Sequence, residues 1–380
     1  MTASPINIDA SRVKDASPGL IRRWKAVRLI AFLLLILVPL PAGAQALTSI
    51  SGDHIGLSMG QEDGVGVGAT GRVVSKENVG GVSVRVVLAV FRVDEVGSHS
   101  ATAVVLRGDA KNIAPGMAVV FDRSARPKRQ PSAGRTTPMR QTEGFVEVPS
   151  GAFVMGCNDN DSLCDPDERP AHSVVISRPF LIAANETTNG QYRKCVRSGT
   201  CSEPHASPHL FRSPIFEHVP VLGVTWQQAR DFCAFIGGRL PSEAEWEFAA
   251  LGGSRTPRTY PWGNDPPSCW SGGGNGARFD DDQNCDDSGP AIVGSFDPNE
   301  YGLFDLAGNA WEWTADIYDA DYYSRSPRRD PKGPLNGARV VARGGSWSSS
   351  GKALRISNRL AVRNGDTSAN IGFRCVKEKQ

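Results

Sequence analysis

Sulfur is missing from the first part of this chain: no cysteine precedes Cys157, and all eight lie between it and Cys375. No sign of charge prevails either. Forty-two Lys and Arg against 40 Asp and Glu leave a formal net charge of +2. That balance sets up no global field for nucleic acid or an anionic membrane surface, so no nucleic-acid partner is expected. No apolar run reaches spanning length. The run LIAFLLLILVPL at residues 29–40 makes ~18 Å of helix against a hydrocarbon core of ~30 Å. Matched cysteine pairs of the C-x2-4-C kind are absent, which removes a structural zinc centre. What is abundant points elsewhere. Forty-one Gly, 26 Pro and eight Trp describe a turn-rich fold and argue against a coiled coil, a polytopic membrane protein or a DNA-binding domain. With 40% hydrophobic residues over 380 the chain can bury a core, and its length predicts roughly two or three domains.

The amino terminus reads as an export signal. IRRWKAVR (21–28) places positive charge before the apolar run, and Ala42-Gly43-Ala44 and Ala44-Gln45-Ala46 follow it in the A-x-A arrangement. This is the layout of a signal peptide over residues 1–46, whose cleavage leaves a periplasmic or secreted protein with no transmembrane span. An uncleaved anchor is the competing reading of the same run. Eight cysteines in an exported chain read as a disulfide set. Spacing pairs Cys157 with Cys164, Cys195 with Cys201, and Cys269 with Cys285. Cys233 and Cys375 remain, and a bond between them closes a loop of about 140 residues, adding about 4–5 kcal/mol in the chain-entropy view.

Residues 47–121 form the next expected unit, a small all-β domain with a barrel-like character. GVSVRVVLAVFRVDEV (81–96) alternates as one long strand or a bent hairpin. ATAVVL (101–106) and MAVVF (117–121) are further strands, with turns at Gly80-Gly81, Gly108-Asp109 and Pro115-Gly116. Residues 122–142 hold six Lys/Arg and three Pro with almost no large apolar residue; they read as a basic linker. The third unit, residues 143–380, is dense in Trp, Gly, Pro and Cys. It contains two short helices whose starts are marked by capping boxes, Thr225 with Gln228 and Ser242 with Glu245. Trp226, Ala229, Cys233 and Ile236 fall on one face of the first, and Gly237 and Gly252 stop the pair.

These helices belong to a longer series of blocks in fixed order. FVEVPSGAFVMG (145–156), ERPAHSVVISRPFLIAANETTNGQY (168–192) and PVLGVTWQQARDFCAFIGGRLPSEAEWEFAA (220–250) open it. YPWGN (260–264), VGSFDPNEYGLFDLAGNAWEWT (293–314), RVVARGGSW (339–347) and NIGFRC (370–375) complete it. The region from about Phe145 to Lys377 resembles the formylglycine-generating enzyme, or sulfatase-modifying factor, family. The resemblance implies an α+β, C-type-lectin-like fold with little regular structure, and it supports the Cys233–Cys375 bond.

Family oxidases hold copper with two thiolates in a G-G-S-W-x-C-x4-C pattern, and soft thiolates suit Cu(I). Here the string is GGSWSSSGKAL, with Ser349 and Leu354 at the two positions. A hydroxyl is a hard, weak ligand and a hydrocarbon is none, so no copper is expected. The expectation is an exported binding or accessory protein whose groove takes a peptide, a protein or an envelope component. Arg343, Ser346, Trp347 and Ser349 match the groove wall, with Arg343 and Arg374 able to fix a carboxylate or be held in structural ion pairs. Trp311, Trp313 and Trp347 are expected in the core. An alternative is a metal-dependent oxidative enzyme of non-haem iron type. His205 and His209 have a ligand-like spacing for it, but Pro204 and Pro208 place them on a loop. Sulfatase activation is the third reading, and the missing Cys pair counts against it. Ser349 has no adjacent His, so a hydrolase triad is not supported. The resemblance also implies a structural Ca2+ held by the Asp305 and Glu312 carboxylates and the Gly308 and Ala310 carbonyls, hard donors of the kind Ca2+ takes. The acidic run 280–287 is either a second ion site or an exposed loop.

Overall fold

The computed structural model describes residues 47–379, apart from 64, 80–81, 109, 122–143, 158–160, 207, 255–256, 270–273 and 281–288. The signal-peptide and linker expectations therefore fall outside the described residues. Six strands occupy the first stretch: β1 (Leu47–Ser51), β2 (His54–Leu57), β3 (Thr70–Val79), β4 (Val82–Val96), β5 (Ala101–Gly108) and β6 (Ala118–Phe121). They form one antiparallel sheet in the order β1-β2-β5-β4-β3-β6. The two edges meet. The Leu47 N–H donates to Met117 O at 3.0 Å and the Gly116 N–H donates to Leu47 O at 2.8 Å, so the sheet curls toward closure. The long apolar segment is one strand, not a bent hairpin, but its alternation breaks. Leu88, Ala89, Val90 and Phe91 are all buried; Leu88 is an extra residue opposite β3, and a further register shift, against β5, falls between Val90 and Phe91.

From Gly144 onward the elements shorten. β7 (Phe145–Val148), β8 (Gly151–Met155), β9 (His172–Ile176) and β10 (Phe180–Ala183) are followed by α1 (Asn189–Arg197), α2 (Pro208–Arg212), α3 (Trp226–Phe235) and α4 (Glu243–Ala250). β11 (Trp311–Ile317), β12 (Arg339–Arg343), β13 (Leu360–Arg363), β14 (Ile371–Gly372) and β15 (Val376–Glu378) close the chain. The strands make three small sheets, β15-β10-β7, β13-β12-β11-β14 and β8-β9. The molecule is thus of α+β character, with few helices. No described helix is long and apolar enough to cross a membrane.

Both expected capping boxes form, and α1 carries a third at Thr188 and Gln191. Gly237 ends α3 with a φ of 74°, a left-handed conformation that suits glycine. Disulfides join Cys157 to Cys164, Cys195 to Cys201 and Cys233 to Cys375. Cys269 is also disulfide-bonded; its expected partner Cys285 lies outside the described residues.

Candidate functional site

β12 runs into Gly344-Gly345, and the chain then turns through Ser346–Ser350 at the position where family oxidases carry their first thiolate. The Ser346 N–H donates to Ser349 Oγ at 3.1 Å, and the two hydroxyl oxygens stand 2.9 Å apart. Ser348 Oγ lies 3.3 Å from Ser346 Oγ and accepts from Asn370 Nδ2 at 3.0 Å. Trp347 is pinned by its backbone N–H to Asn309 O and is only half-buried, unlike Trp311 and Trp313, which are in the core. The second position is closed. Leu354 is 0% exposed and packs with Tyr260, Phe279, Ala277 and Ala307. A hydroxyl turn beside a hydrocarbon plug has no soft donor to offer. Among the described residues no cysteine is free. Their one grouping of three ligand-type side chains is Cys157, Asp161 and Cys164, and two of those are disulfide sulfurs.

The arginines lie deeper than a groove wall. Arg343 is 0% exposed. It donates to Glu243 Oε1 at 2.7 Å, to Ile356 O at 2.6 Å and to the Glu247 carboxylate. Arg374, likewise buried, forms a two-pronged pair with Glu312, both bonds 2.7 Å, and donates to Phe304 O at 2.7 Å. Burial opposes its charge, yet Glu312 outweighs burial and holds its pKa above the ordinary value. Both are structural ion pairs, and neither guanidinium is presented to a ligand.

The candidate cation segment is a strained turn. Asp305, Gly308 and Asn309 all have left-handed φ, at 55°, 84° and 63°. At Gly308 a Cβ would sit 2.2 Å from Arg278 O, so only glycine fits. The turn is held by Gly308 N–H to Gly344 O at 2.8 Å and Asn309 N–H to Arg278 O at 2.7 Å. Asp305 accepts from the Gly294 N–H. Glu312 accepts from Trp246 Nε1 at 2.8 Å through Oε2, while Oε1 receives one Arg374 bond and keeps lone-pair capacity.

A third carboxylate, absent from the sequence-based set, joins them. Glu186 is 1% exposed, accepts from Asn309 Nδ2 at 3.1 Å through Oε2, and has no partner for Oε1. Burial, then the charges of Asp305 and Glu312, push its pKa well above the usual carboxylate range, against the pull of Arg374 and Asn309. Three buried acids thus share one guanidinium. The only sequence sign of Glu186 is an acid three residues past the end of the apolar strand β10. The unsatisfied Oε1 of Glu186 and the carboxylates of Asp305 and Glu312 are hard donors of the kind a divalent cation takes, although the three are not gathered into one ligand shell.

The remaining candidates do not converge. α2 begins at Pro208, so His205 precedes it and the two histidines do not share a helix face. Glu203, two residues before His205, is paired with Arg212 at 2.7 Å. Of the acidic run only Asp280 is described; 281–287 lie outside the described residues.

Comparison with known proteins adds to this geometry. The model of the sulfatase-modifying factor enzyme 1-like domain matches residues 131–379. A formylglycine-generating enzyme of Thermomonospora curvata is 31% identical over 299 residues, covering 64% of this chain and 96% of that protein. An inactive C-alpha-formylglycine-generating enzyme 2 of Bos taurus is 30% identical over 288 residues, covering 62% and 88%. The solved structure of PvdO from Pseudomonas aeruginosa aligns with a TM-score of 0.53 at 26% identity, over 62% of this chain and 94% of that one. A matched domain, its ordered motif blocks and the glycine-turned wall beside a buried acid cluster agree: the chain belongs to the sulfatase-modifying factor family.

Proposed function

We propose that this protein is an exported, non-oxidase member of the family, a binding or accessory protein of C-type-lectin-like fold. Its groove beside Ser346, Trp347 and Ser349 takes a peptide, a protein or an envelope component. The observation that carries the reading is the pair Ser349 and Leu354, one a hydroxyl bonded within its own turn and the other buried among apolar side chains. A relative bearing the word inactive in its name is in keeping with it. Export is supported by the disulfides, which persist in oxidising compartments. Cu(I) titration and oxygen uptake with a cysteine-containing sulfatase peptide test the reading together. Neither tight copper capture nor oxygen consumption is expected, and either one overturns it. Near-stoichiometric iron in the purified protein would favour the oxidative alternative instead.

The same reading includes a structural Ca2+. Asp305, Glu312 and the Gly308 and Ala310 carbonyls would hold it, with Glu186 beside them. The ion would supply the positive charge that three buried acids and one arginine leave wanting. Chelation is expected to lower the melting temperature, and Glu312→Gln to remove that sensitivity. A melting curve indifferent to chelator sinks the calcium assignment.

A further inference from the structure

A cavity of about 290 Å3 opens where α1, the end of α3 and the sheet β15-β10-β7 meet. None of Arg343, Ser346, Trp347 or Ser349 lines it, so it is separate from the groove discussed above. Its apolar side is made by Phe232, Phe235 and Ile236 at the end of α3. Phe232 belongs to the core, but Phe235 is 41% exposed, a large aromatic surface left toward solvent. Two lysines, Lys194 of α1 and Lys377 of β15, are also among its lining residues. Lys377 Nζ stands 4.7 Å from the centroid of the Phe145 ring, which holds it over the cavity wall. Among the described residues neither lysine has an ion-pair partner. Glu186 is the one carboxylate on the lining; its Oε2 is bonded to Asn309 and its Oε1 has no partner.

An apolar concavity with two unneutralised cations at its edge selects by charge and by shape. A neutral apolar molecule leaves both ammonium groups without a partner, and a bare inorganic anion leaves the aromatic face wet. The volume is at the small end of the ~300–1,000 Å3 span of small-molecule sites. We propose that this cavity binds a small organic anion with a flat apolar body. The acid head meets Lys194 and Lys377, and the body lies against Phe232, Phe235 and Ile236. The charge-assisted contact gives orientation, and burial of the aromatic surface gives most of the affinity.

Anilinonaphthalene sulfonate, which has this chemistry, is the probe. Titrated into the full folded chain, it is expected to bind saturably at one site with enhanced fluorescence. Its uncharged counterpart, N-phenylnaphthylamine, is expected to bind about tenfold more weakly. Lys194→Gln with Lys377→Gln is expected to weaken the sulfonate about tenfold while leaving the uncharged probe unchanged. Phe235→Ser weakens both, and Lys352→Gln, at a distant exposed lysine, changes neither. Near-UV circular dichroism checks that each variant keeps native packing. Should the double variant lose it, Lys194→Gln alone serves, because Lys194 is exposed. No saturable binding, equal affinity for the two probes, or lysine variants that bind as the parent does would each overturn the proposal.

Discussion

Single residues in this molecule behave according to how their buried charge is answered. Glu243, on α4, is the well-answered case. Burial alone would raise its pKa, but Arg359 and Arg343 outweigh burial and hold it below the ordinary carboxylate range. Arg359 bonds both of its oxygens, at 2.7 and 3.1 Å. Asp316 on β11 is the opposite case. It is buried and accepts the Glu243 N–H at 2.8 Å. Burial, followed by repulsion from Glu243, pushes its pKa well above the usual range. The sign of the linkage follows. An acid whose pKa is raised by folding favours the folded state below its unfolded pKa, about 3.9, and that contribution is lost as pH rises through the folded pKa. Asp316→Asn keeps an acceptor for the Glu243 N–H and carries no proton to lose. Its stability relative to the parent should therefore increase from about pH 4 upward, by as much as about 1.4 kcal/mol per pH unit, and level off above the folded pKa. Urea denaturation across a pH series measures the difference, and a flat difference would show that Asp316 does not titrate with folding.

At the scale of elements, what could be read beforehand was local. α3 and α4 announce themselves through Thr225 with Gln228 and Ser242 with Glu245, because a capping box lies wholly within four consecutive residues. The same device at Thr188 and Gln191 starts α1, and it went unread inside a block notable for other reasons. The short strands are another matter. β10 finds partners in β15 and β7, and β11 runs parallel to a two-residue β14. Strands of this length have no period to display, and their pairing is set by distant segments. The candidate site divides the same way. The loss of sulfur at Ser349 and Leu354 is a matter of adjacent letters. The fate of Arg343 was open, because its partner Glu243 lies 100 residues away. Glu186 was invisible as a neighbour of the buried acids Asp305 and Glu312, since only the fold brings it to Asn309, 123 residues on. Composition foretold that tryptophan would pack the core, and Trp311 and Trp313 do so; Trp347 does not, because its turn faces outward.

At the scale of the whole molecule, the six-stranded sheet is not a bead on a string. Its interior, including Ile55, Leu88, Phe91 and Val93, continues without a break into Leu210, Phe216, Val219, Ala291 and Ile292 of the following region. Residues on both sides therefore leave water together, and a shared core couples their unfolding. The coupling is open to a direct test, because residues 47–121 contain no tryptophan and tryptophan emission reports only on the remainder. In the parent protein a single calorimetric peak should coincide with the emission change. Phe216, 3% exposed in this shared core, is the side chain to remove. Phe216→Ala should cost about 3–5 kcal/mol, and it should draw the calorimetric and emission transitions apart as the sheet melts ahead of the rest. Two resolved peaks already present in the parent would mean that the contact is too weak to couple the two regions, and that the shared core does not act as one cooperative body.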